Sequence, residues 1–177
     1  MLLWDDPLLG INWNNMTTVN PGWVQLALSN YRKMLAALDN PDRDNKNADV
    51  NHGRLAAELL IMKLEFRQAL LKAYADKNNK ALKEISKVMA PAMMKALKKL
   101  LKSFRTQWMR RNKPFGFEVI QLRLNAQIGR YEEIAVRINE LLNCTISSIA
   151  ELDEPVPGIH GGSSISSRFF VSGSTIV

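Results

Sequence analysis

Paired carboxylates are the first residues in this sequence that could do chemistry, because acid–base catalysis needs two carboxyl groups close together in an unusual environment. Two adjacent pairs occur, Asp5–Asp6 and Glu132–Glu133. The second pair lies where the helical pattern predicts a solvent-facing side, and the first lies close to the start of the sequence. We therefore predict no catalytic residue within this chain.

Metal and cofactor sites need clusters of ligating side chains, which this composition does not supply. The chain has one cysteine, Cys144, and two histidines, His52 and His160. These numbers exclude an internal disulfide framework, a Cys-based zinc site and a CxxC redox motif. The Glu-x-x-His pair of a di-metal site in a helical bundle does not occur either. We predict no metal and no cofactor.

The strongest charge feature is a basic block in a chain whose net charge is +7. No acid occurs between Glu84 and Glu118. The basic residues of this interval are Lys87, Lys95, Lys98, Lys99, Lys102, Arg105, Arg110, Arg111 and Lys113. Such a block is typical of a solvated helix face, and it also suits nucleic acid, an anionic membrane surface or an acidic partner domain. Because no groove-reading motif is present, we expect no specific nucleic acid and no membrane as partners.

The elements that must position these residues are helices. Apolar residues repeat at spacings of three and four in four segments, 21–38, 53–75, 78–111 and 117–142, which is the helical period. Pro91 lies inside the third segment and predicts a kink there. The sequence therefore predicts an all-α fold, an antiparallel bundle of about four long helices.

Composition divides the chain into three regions. Residues 1–20 carry apolar anchors without a helical period, so we expect an irregular segment there. Residues 21–154 form the predicted bundle domain, and residues 155–177 form a Gly/Ser-rich tail in which 169–171 could make a short strand. No apolar run approaches the length of a membrane span, and the first residues lack the basic start of a signal peptide. We expect a cytoplasmic protein.

Three stretches, in this order, are similar to the motifs of one family. Residues 3–10 read LWDDPLLG, residues 108–130 read WMRRNKPFGFEVIQLRLNAQIGR, and residues 146–154 read ISSIAELDE. Together they resemble the C-terminal helical domain of glycoside hydrolase family 20 exo-β-N-acetylhexosaminidases, in the bacterial N-acetylglucosaminidase subgroup. Asn125-Ala126 replaces a Gly-Gly pair of the family, and Gln121 replaces an acid.

The resemblance implies a function for a larger enzyme. In that family an Asp–Glu pair in a (β/α)₈ barrel performs substrate-assisted hydrolysis. A barrel takes about 250 residues, more than this all-helical chain contains. We therefore expect a non-catalytic C-terminal accessory domain, inactive alone, with residues 1–20 as the remnant of a junction to the barrel. The implied role is to buttress the barrel, and a homodimer interface is a further role that the resemblance allows.

The same resemblance points to candidate inter-domain or partner contacts. They are apolar and charged residues of the N-terminal segment and of the middle motif: Trp4, Asp6, Leu8, Leu9, Trp13, Lys113, Phe115, Arg123 and Arg130. We expect the tryptophans and leucines among them to be partly exposed or self-associated. The alternative function is a free-standing basic helical bundle that binds nucleic acid or an anionic membrane surface through its third helix.

Overall fold

The computed structural model describes residues 2–39 and 47–154, and all structural statements refer to these. The helices are α1 (Ile11–Val19), α2 (Trp23–Leu38), α3 (Ala48–Ala75), α4 (Asn79–Glu84), α5 (Ala90–Arg111), α6 (Phe117–Leu142) and α7 (Ala150–Asp153). A 3₁₀ turn at Leu2–Trp4 precedes them, and a π-helical turn at Ile85–Met89 joins α4 to α5. These ranges contain no strand, so the predicted all-α fold is confirmed.

The bundle is built around α5, which packs against both α3 and α6, while α2 packs on the outside of α3. Its main core includes the fully buried residues Leu59, Phe66, Leu97, Leu124 and Ile138. A smaller cluster between α1, α2 and α3 contains Trp13, Val24, Leu28 and Leu64. The four predicted long helices correspond to α2, α3, the continuous α4–α5 unit and α6.

The start of α3 lies earlier in the chain than the apolar pattern indicates. The sequence predicts a start near Gly53 with Asn51 as the cap, whereas α3 begins at Ala48. Asn47 is the cap, and its side-chain oxygen accepts a hydrogen bond of 2.8 Å from the backbone N–H of Asp49. The early turn does not continue the apolar stripe, since it alternates Ala48 and Val50 with Asp49 and Asn51, but a capping Asn and a first-turn acid both stabilise a helix start.

Pro91 perturbs the long helix in a specific way. Its ring nitrogen cannot donate to the carbonyl one turn earlier, and the sequence therefore predicts a kink. In the structure the preceding turn, Ile85–Met89, is widened into a π-helix, and the N–H of Ala90 donates to the carbonyl of Ile85 five residues back. Wide turns of this kind accommodate a local disturbance while the helix continues.

The predicted irregular segment over residues 1–20 is wrong for most of its described part. That part contains the 3₁₀ turn and the nine-residue helix α1. Only Ile11 and Trp13 of α1 are buried, so the helix leaves no apolar period in the sequence. It is stabilised by hydrogen bonds to the Asp5 carboxylate and by the packing of Trp13 against Val24, Leu28 and Leu64, contacts that a search for a helical apolar period does not detect.

The C-terminal end of the described chain docks on α3. The hydroxyl of Tyr74 donates to Asp153 Oδ1 at 2.8 Å and accepts from the backbone N–H of Ile149 at 2.9 Å. Ile149 itself is fully buried in the main core. The predicted Gly/Ser-rich tail over residues 155–177, with its candidate strand at 169–171, lies outside the described residues.

Candidate functional site, a clamped N-terminal strap

Residues 2–10, called the strap below, lie against both α3 and α6. The 3₁₀ turn of the strap contacts each of these helices. Leu8 is 0% exposed within the main core, and Leu2 packs against the smaller cluster around Trp13. The strap is therefore an internal part of the bundle.

Lys63 of α3 and Gln127 of α6 hold the first half of the strap by its main chain. The Lys63 ammonium donates to the carbonyl oxygens of Leu3 at 3.0 Å and Asp5 at 2.8 Å, and to Gln127 Oε1 at 2.6 Å. The Gln127 amide in turn donates to the carbonyl of Trp4 at 3.1 Å. All three donors of the ammonium group are thus used.

Arg67, one helical turn after Lys63, holds the second half. Its Nη1 donates to the carbonyl oxygens of Pro7 at 2.8 Å and Leu8 at 2.7 Å. The guanidinium lies directly against Gly10, where a Cβ atom would stand 2.6 Å from Arg67 Nη2. Gly10 also has a φ of +59°, a left-handed conformation that favours glycine. The residue type at position 10 is therefore fixed by two independent constraints.

The Asp5 carboxylate stabilises the start of α1. Its Oδ1 accepts from the backbone N–H of Asn12 at 2.9 Å and its Oδ2 from that of Trp13 at 3.0 Å. The residue just before the helix is Gly10, which has no side chain to cap it. A carboxylate at a helix N-terminus satisfies free N–H groups and interacts favourably with the helix dipole. The Asp5 carboxylate therefore satisfies the free N–H groups at the start of α1, as a capping side chain at position 10 would otherwise do.

Asp6 closes the strap and joins it to α6. Its Oδ1 accepts from the backbone N–H groups of Leu8 and Leu9, both at 2.9 Å. Its Oδ2 pairs with Arg130 Nε at 2.7 Å, and Arg130 Nη2 lies 3.3 Å from Oδ1. The Asp6 side chain is 1% exposed and the Arg130 side chain 26%. Charge-assisted bonds with this two-point geometry are stronger than neutral ones.

Burial shapes the ionisation of the whole cluster. Desolvation lowers the pKa of Lys63 to about 8, against the opposing attraction of Asp5 and Asp6. Desolvation also raises the pKa of Asp5, although hydrogen bonds from the α1 N-terminus and the charge of Lys63 oppose it. The pKa of Arg67 is lowered and that of Tyr131 raised by the same cause. The strap is thus held by charges that are largely removed from water.

The buried polar side chains around the strap hold its main chain and leave no room for a substrate. The cavity beside Asp5 and Asp6 measures about 10 Å³, which is space for a single water molecule, whereas ligand pockets are far larger. Both carboxylates already accept several hydrogen bonds within the chain. Across the described ranges, no three His, Cys, Asp or Glu side chains are grouped so that they could hold a metal ion.

Comparison with known proteins identifies the domain type. The sequence model of the Glycoside Hydrolase 20C C-terminal domain matches residues 1–167. The chain belongs to this family. A search of the curated proteins found no match. The resemblance drawn from the three motifs is confirmed, and the strap lies within the residues matched to the 20C C-terminal domain, the accessory part of a family 20 glycoside hydrolase.

The predicted contacts in the N-terminal part of the 20C C-terminal domain differ in how much of each side chain is exposed to solvent. Trp4 and Leu9 are half-buried, as expected, and the Arg123 guanidinium stands 5.6 Å from the centroid of the Trp4 ring. Leu8 is 0% exposed and Trp13 only 7%. The expectation of partial exposure is wrong for these two, because Leu8 of the strap lies in the main core and Trp13 of α1 lies in the smaller cluster.

Two further predicted contacts of the 20C C-terminal domain, Lys113 and Phe115, lie on the turn between α5 and α6. The Trp108 indole N–H donates to the carbonyl of Lys113 at 2.8 Å. Gly116 follows with a φ of +91°. Phe115, between them, is 83% exposed. This turn is therefore internally braced while it presents an aromatic ring to solvent.

Sequence reasoning missed Lys63, Arg67 and Gln127 as residues that hold the strap. The sequence signal for the first two was weak. They stand four residues apart on α3, but the same helix also carries charges that are exposed, such as Glu58, Glu65 and Lys72. Charge type alone therefore did not mark Lys63 and Arg67 as buried and partnered. The partners themselves lie some 60 residues away in sequence, beyond the reach of a local pattern.

The basic block forms an exposed surface on α5 and on the π-helical turn that precedes it, called the lysine face below. Its members are Lys87, Lys95, Lys98, Lys99, Lys102 and Arg105, all exposed. None of them forms an ion pair within the described part of the chain, whereas Arg110 and Arg111 pair with Asp49. No helix in those ranges is long and apolar enough to cross a membrane.

Lys63 predicts a specific dependence of stability on pH. Its pKa of about 8 in the folded chain lies below the ordinary 10.5, so between these values the unfolded chain binds more protons. The free energy of unfolding therefore rises with pH in that window. We expect the difference between the unchanged chain and a Lys63→Met variant to grow by about 1–2 kcal/mol from about pH 8 to about pH 9.5.

Urea unfolding at several pH values measures this difference. The series stops below the ordinary tyrosine pKa of about 10, because the raised pKa of Tyr131 lowers stability above that value. Both proteins keep Tyr131, so any effect of its ionisation on stability cancels in the difference between their free energies of unfolding. A difference that stays constant with pH would show that Lys63 titrates normally.

Proposed function

We propose that this 20C C-terminal domain is a non-catalytic accessory domain that buttresses the catalytic barrel of its enzyme, with the strap as the junction. The observation that carries the proposal is the clamp on the strap main chain. The carbonyl groups of Leu3, Trp4, Asp5, Pro7 and Leu8 are all held by side chains of α3 and α6. A chain that enters the bundle through this segment has little freedom at the point of entry.

The non-catalytic part of the proposal rests on how the carboxylates are used. Asp5 caps α1, and Asp6 pairs with Arg130. Neither faces a cavity that admits a sugar ring. In the described part of the chain neither of these carboxylates is placed to act as the barrel acids of the family do, and the domain contributes stability and orientation.

A polypeptide that joins a family 20 barrel to Met1 of this chain tests the junction. Asp6→Ala removes the turn acceptor and the partner of Arg130, and Lys98→Ala on the lysine face is the matched control. We expect the first variant to lower the temperature at which hydrolase activity is lost, and the second to leave it unchanged. A barrel whose inactivation temperature does not change even when the whole bundle is deleted would contradict the proposal.

The chain alone is expected to leave aryl N-acetyl-β-glucosaminides intact, because the two acids of the reaction belong to the barrel. The measurement is release of the aryl group over a buffer control, before and after repurification. The joined polypeptide is the positive control. Turnover by the chain that persists after repurification would show that it contains its own catalytic site.

The lysine face favours a second candidate, a weak polyanion-binding surface. It is exposed and carries no ion pair within the described ranges. Binding that neutralises several phosphates falls with salt at a log–log slope of about −0.9 for each one. We expect weak, sequence-independent binding to duplex DNA at low salt that vanishes near physiological ionic strength. Sub-micromolar binding that persists there, and is lost in Lys95→Glu/Lys98→Glu/Lys102→Glu, would favour the alternative function.

Two further parts of the proposal concern the whole enzyme. We propose a cytoplasmic location, which fractionation of cells that produce the enzyme would test.

A contribution to a homodimer remains a prediction, and sedimentation of the joined polypeptide with and without the bundle tests it. A dimer that survives deletion of the bundle would assign the interface to the barrel.

A further inference from the structure

A small cavity lies among the side chains that hold the strap. It measures about 10 Å³, and the polar part of its wall is formed by Asp5, Asp6, Lys63, Arg67 and Tyr131. A cavity of this size admits one water molecule, whereas pockets for larger ligands are far bigger. A buried water molecule also needs about two to four polar groups that bond to it. The polar groups of the wall therefore decide whether this cavity binds water.

Arg67 brings to the cavity a donor that no group of the described chain uses. Its side chain is buried, with the residue 4% exposed, and its Nε has no hydrogen-bond partner there. The guanidinium cannot turn to find one, because Nη1 donates to the carbonyls of Pro7 and Leu8 and the group lies against Gly10. Since a guanidinium is planar, these contacts also fix the direction of the Nε–H bond.

The Tyr131 hydroxyl is a second polar group of this kind. Tyr131 is 1% exposed, and within the described ranges its hydroxyl interacts with the charges of nearby side chains but forms no hydrogen bond. The ring packs edge-on against that of Phe66, with the centroids 5.0 Å apart, so it cannot swing towards another partner. Because a buried hydroxyl without a hydrogen bond is costly, buried tyrosines usually have a partner.

The acids and bases of the wall supply a further bond and indicate the class of ligand. Asp5 Oδ2 accepts a hydrogen bond from the backbone N–H of Trp13, and a carboxylate oxygen can accept a second one. The wall carries two carboxylates and two cationic side chains. An anion would stand beside the carboxylates and a cation beside the buried positive groups, and both arrangements are unfavourable away from water. A neutral ligand suits this wall.

We propose that this cavity binds one ordered water molecule, which accepts a hydrogen bond from Arg67 Nε and bonds to the Tyr131 hydroxyl and to a carboxylate oxygen of Asp5. The water molecule satisfies two buried polar groups that the described chain leaves unpaired. Its three partners belong to α3, α6 and the strap. The water molecule thus joins these three elements in one hydrogen-bond network.

Magnetisation transfer from water to the Nε–H group of Arg67 tests the proposal in the folded chain. Nuclear Overhauser effects are recorded with isotope-labelled arginine in the laboratory frame and in the rotating frame. A water molecule that stays bound gives cross peaks of opposite sign in the two experiments, and passing surface water does not. Arg130 is the control, because its Nε donates directly to Asp6 Oδ2 at 2.7 Å. We expect the opposite signs at Arg67 only.

A Tyr131→Phe variant separates bound water from the tyrosine hydroxyl, whose proton exchanges with solvent and can relay the same signal. We expect the Arg67 cross peaks to persist in this variant, because Arg67 Nε and Asp5 still hold the water molecule. A signal that disappears in Tyr131→Phe, while the Arg130 resonance shows that the chain is folded, would assign it to the hydroxyl and overturn the inference.

A crystal structure of the chain tests the identity of the ligand. We expect a single density peak at hydrogen-bond distance, about 2.7–3.2 Å, from both Arg67 Nε and the Tyr131 hydroxyl oxygen. The lack of a peak, or an Arg67 side chain that bonds through Nε to another protein group, would overturn the inference. An anomalous peak at this place after bromide is soaked into the crystal would also overturn it, by assigning the cavity to an anion.

Discussion

Replacing Lys63 with methionine is expected to lower the free energy of unfolding of this chain by about 3 kcal/mol. The variant keeps the apolar volume of the side chain but removes the ammonium group. The carbonyl oxygens of Leu3 and Asp5 and the amide oxygen of Gln127 then lose their donor in a buried place. The Asp5 carboxylate also loses a nearby opposite charge.

The size of this effect reflects two opposing contributions. Burial of the ammonium is itself costly, as its lowered pKa shows, and removal of the charge recovers that cost. The unpaired acceptors left behind outweigh the recovery, since each buried unsatisfied group costs about 1–3 kcal/mol. The net loss therefore lies at the lower end of the range for a broken buried charge cluster.

Urea denaturation followed by circular dichroism measures the loss. Lys98→Met is the matched control, because Lys98 is exposed on α5 and has no ion pair in the described ranges. It is expected to change stability by no more than about 0.5 kcal/mol. Equal midpoints for the two variants would mean that the strap is not held through Lys63.

The bundle was predictable because its signal is local and repeated. In α6 the apolar residues keep a spacing of three and four over the full length, and the predicted and observed bounds coincide at Phe117 and Leu142. Such a pattern directly records which face of a helix is buried. The first turn of α3, which starts at Ala48, and the whole of α1 escaped it.

The strap was not predictable in the same way, since its order depends on partners far away in the chain. Lys63 holds the carbonyls of Leu3 and Asp5 from 60 and 58 residues away, and the ion partner of Asp6 is Arg130, 124 residues later. The motif resemblance selected Asp6 and Arg130 as separate contacts to another domain. In the structure the two residues form an ion pair with each other. The resemblance therefore identified both residues but not the contact between them.

Gly10→Ala is expected to destabilise the chain by about 3 kcal/mol. The left-handed backbone at this position, with φ at +59°, costs a residue with a side chain about 1–2 kcal/mol. The added methyl group would also stand 2.6 Å from Arg67 Nη2 and 2.8 Å from its Cζ. Arg67 cannot move aside without giving up its bonds to the carbonyls of Pro7 and Leu8.

Gly129→Ala is the matched control, because it makes the same chemical change with the opposite expected sign. Position 129 lies in the middle of α6, and a Cβ atom there meets nothing. Alanine stabilises a helix interior by up to about 1 kcal/mol relative to glycine. The comparison of the two variants by urea unfolding therefore separates the local constraint at the strap from the general effect of adding a methyl group.

A double-mutant cycle with Arg67→Met assigns the cost at position 10 to its two causes. In the Arg67→Met background the guanidinium is absent, so Gly10→Ala should cost only the backbone part, about 1–2 kcal/mol. The remainder measures how firmly the Arg67 guanidinium is held against the strap. If Gly10→Ala costs the same in both backgrounds, the close approach of Arg67 to Gly10 imposes no constraint, and the left-handed backbone alone requires the glycine.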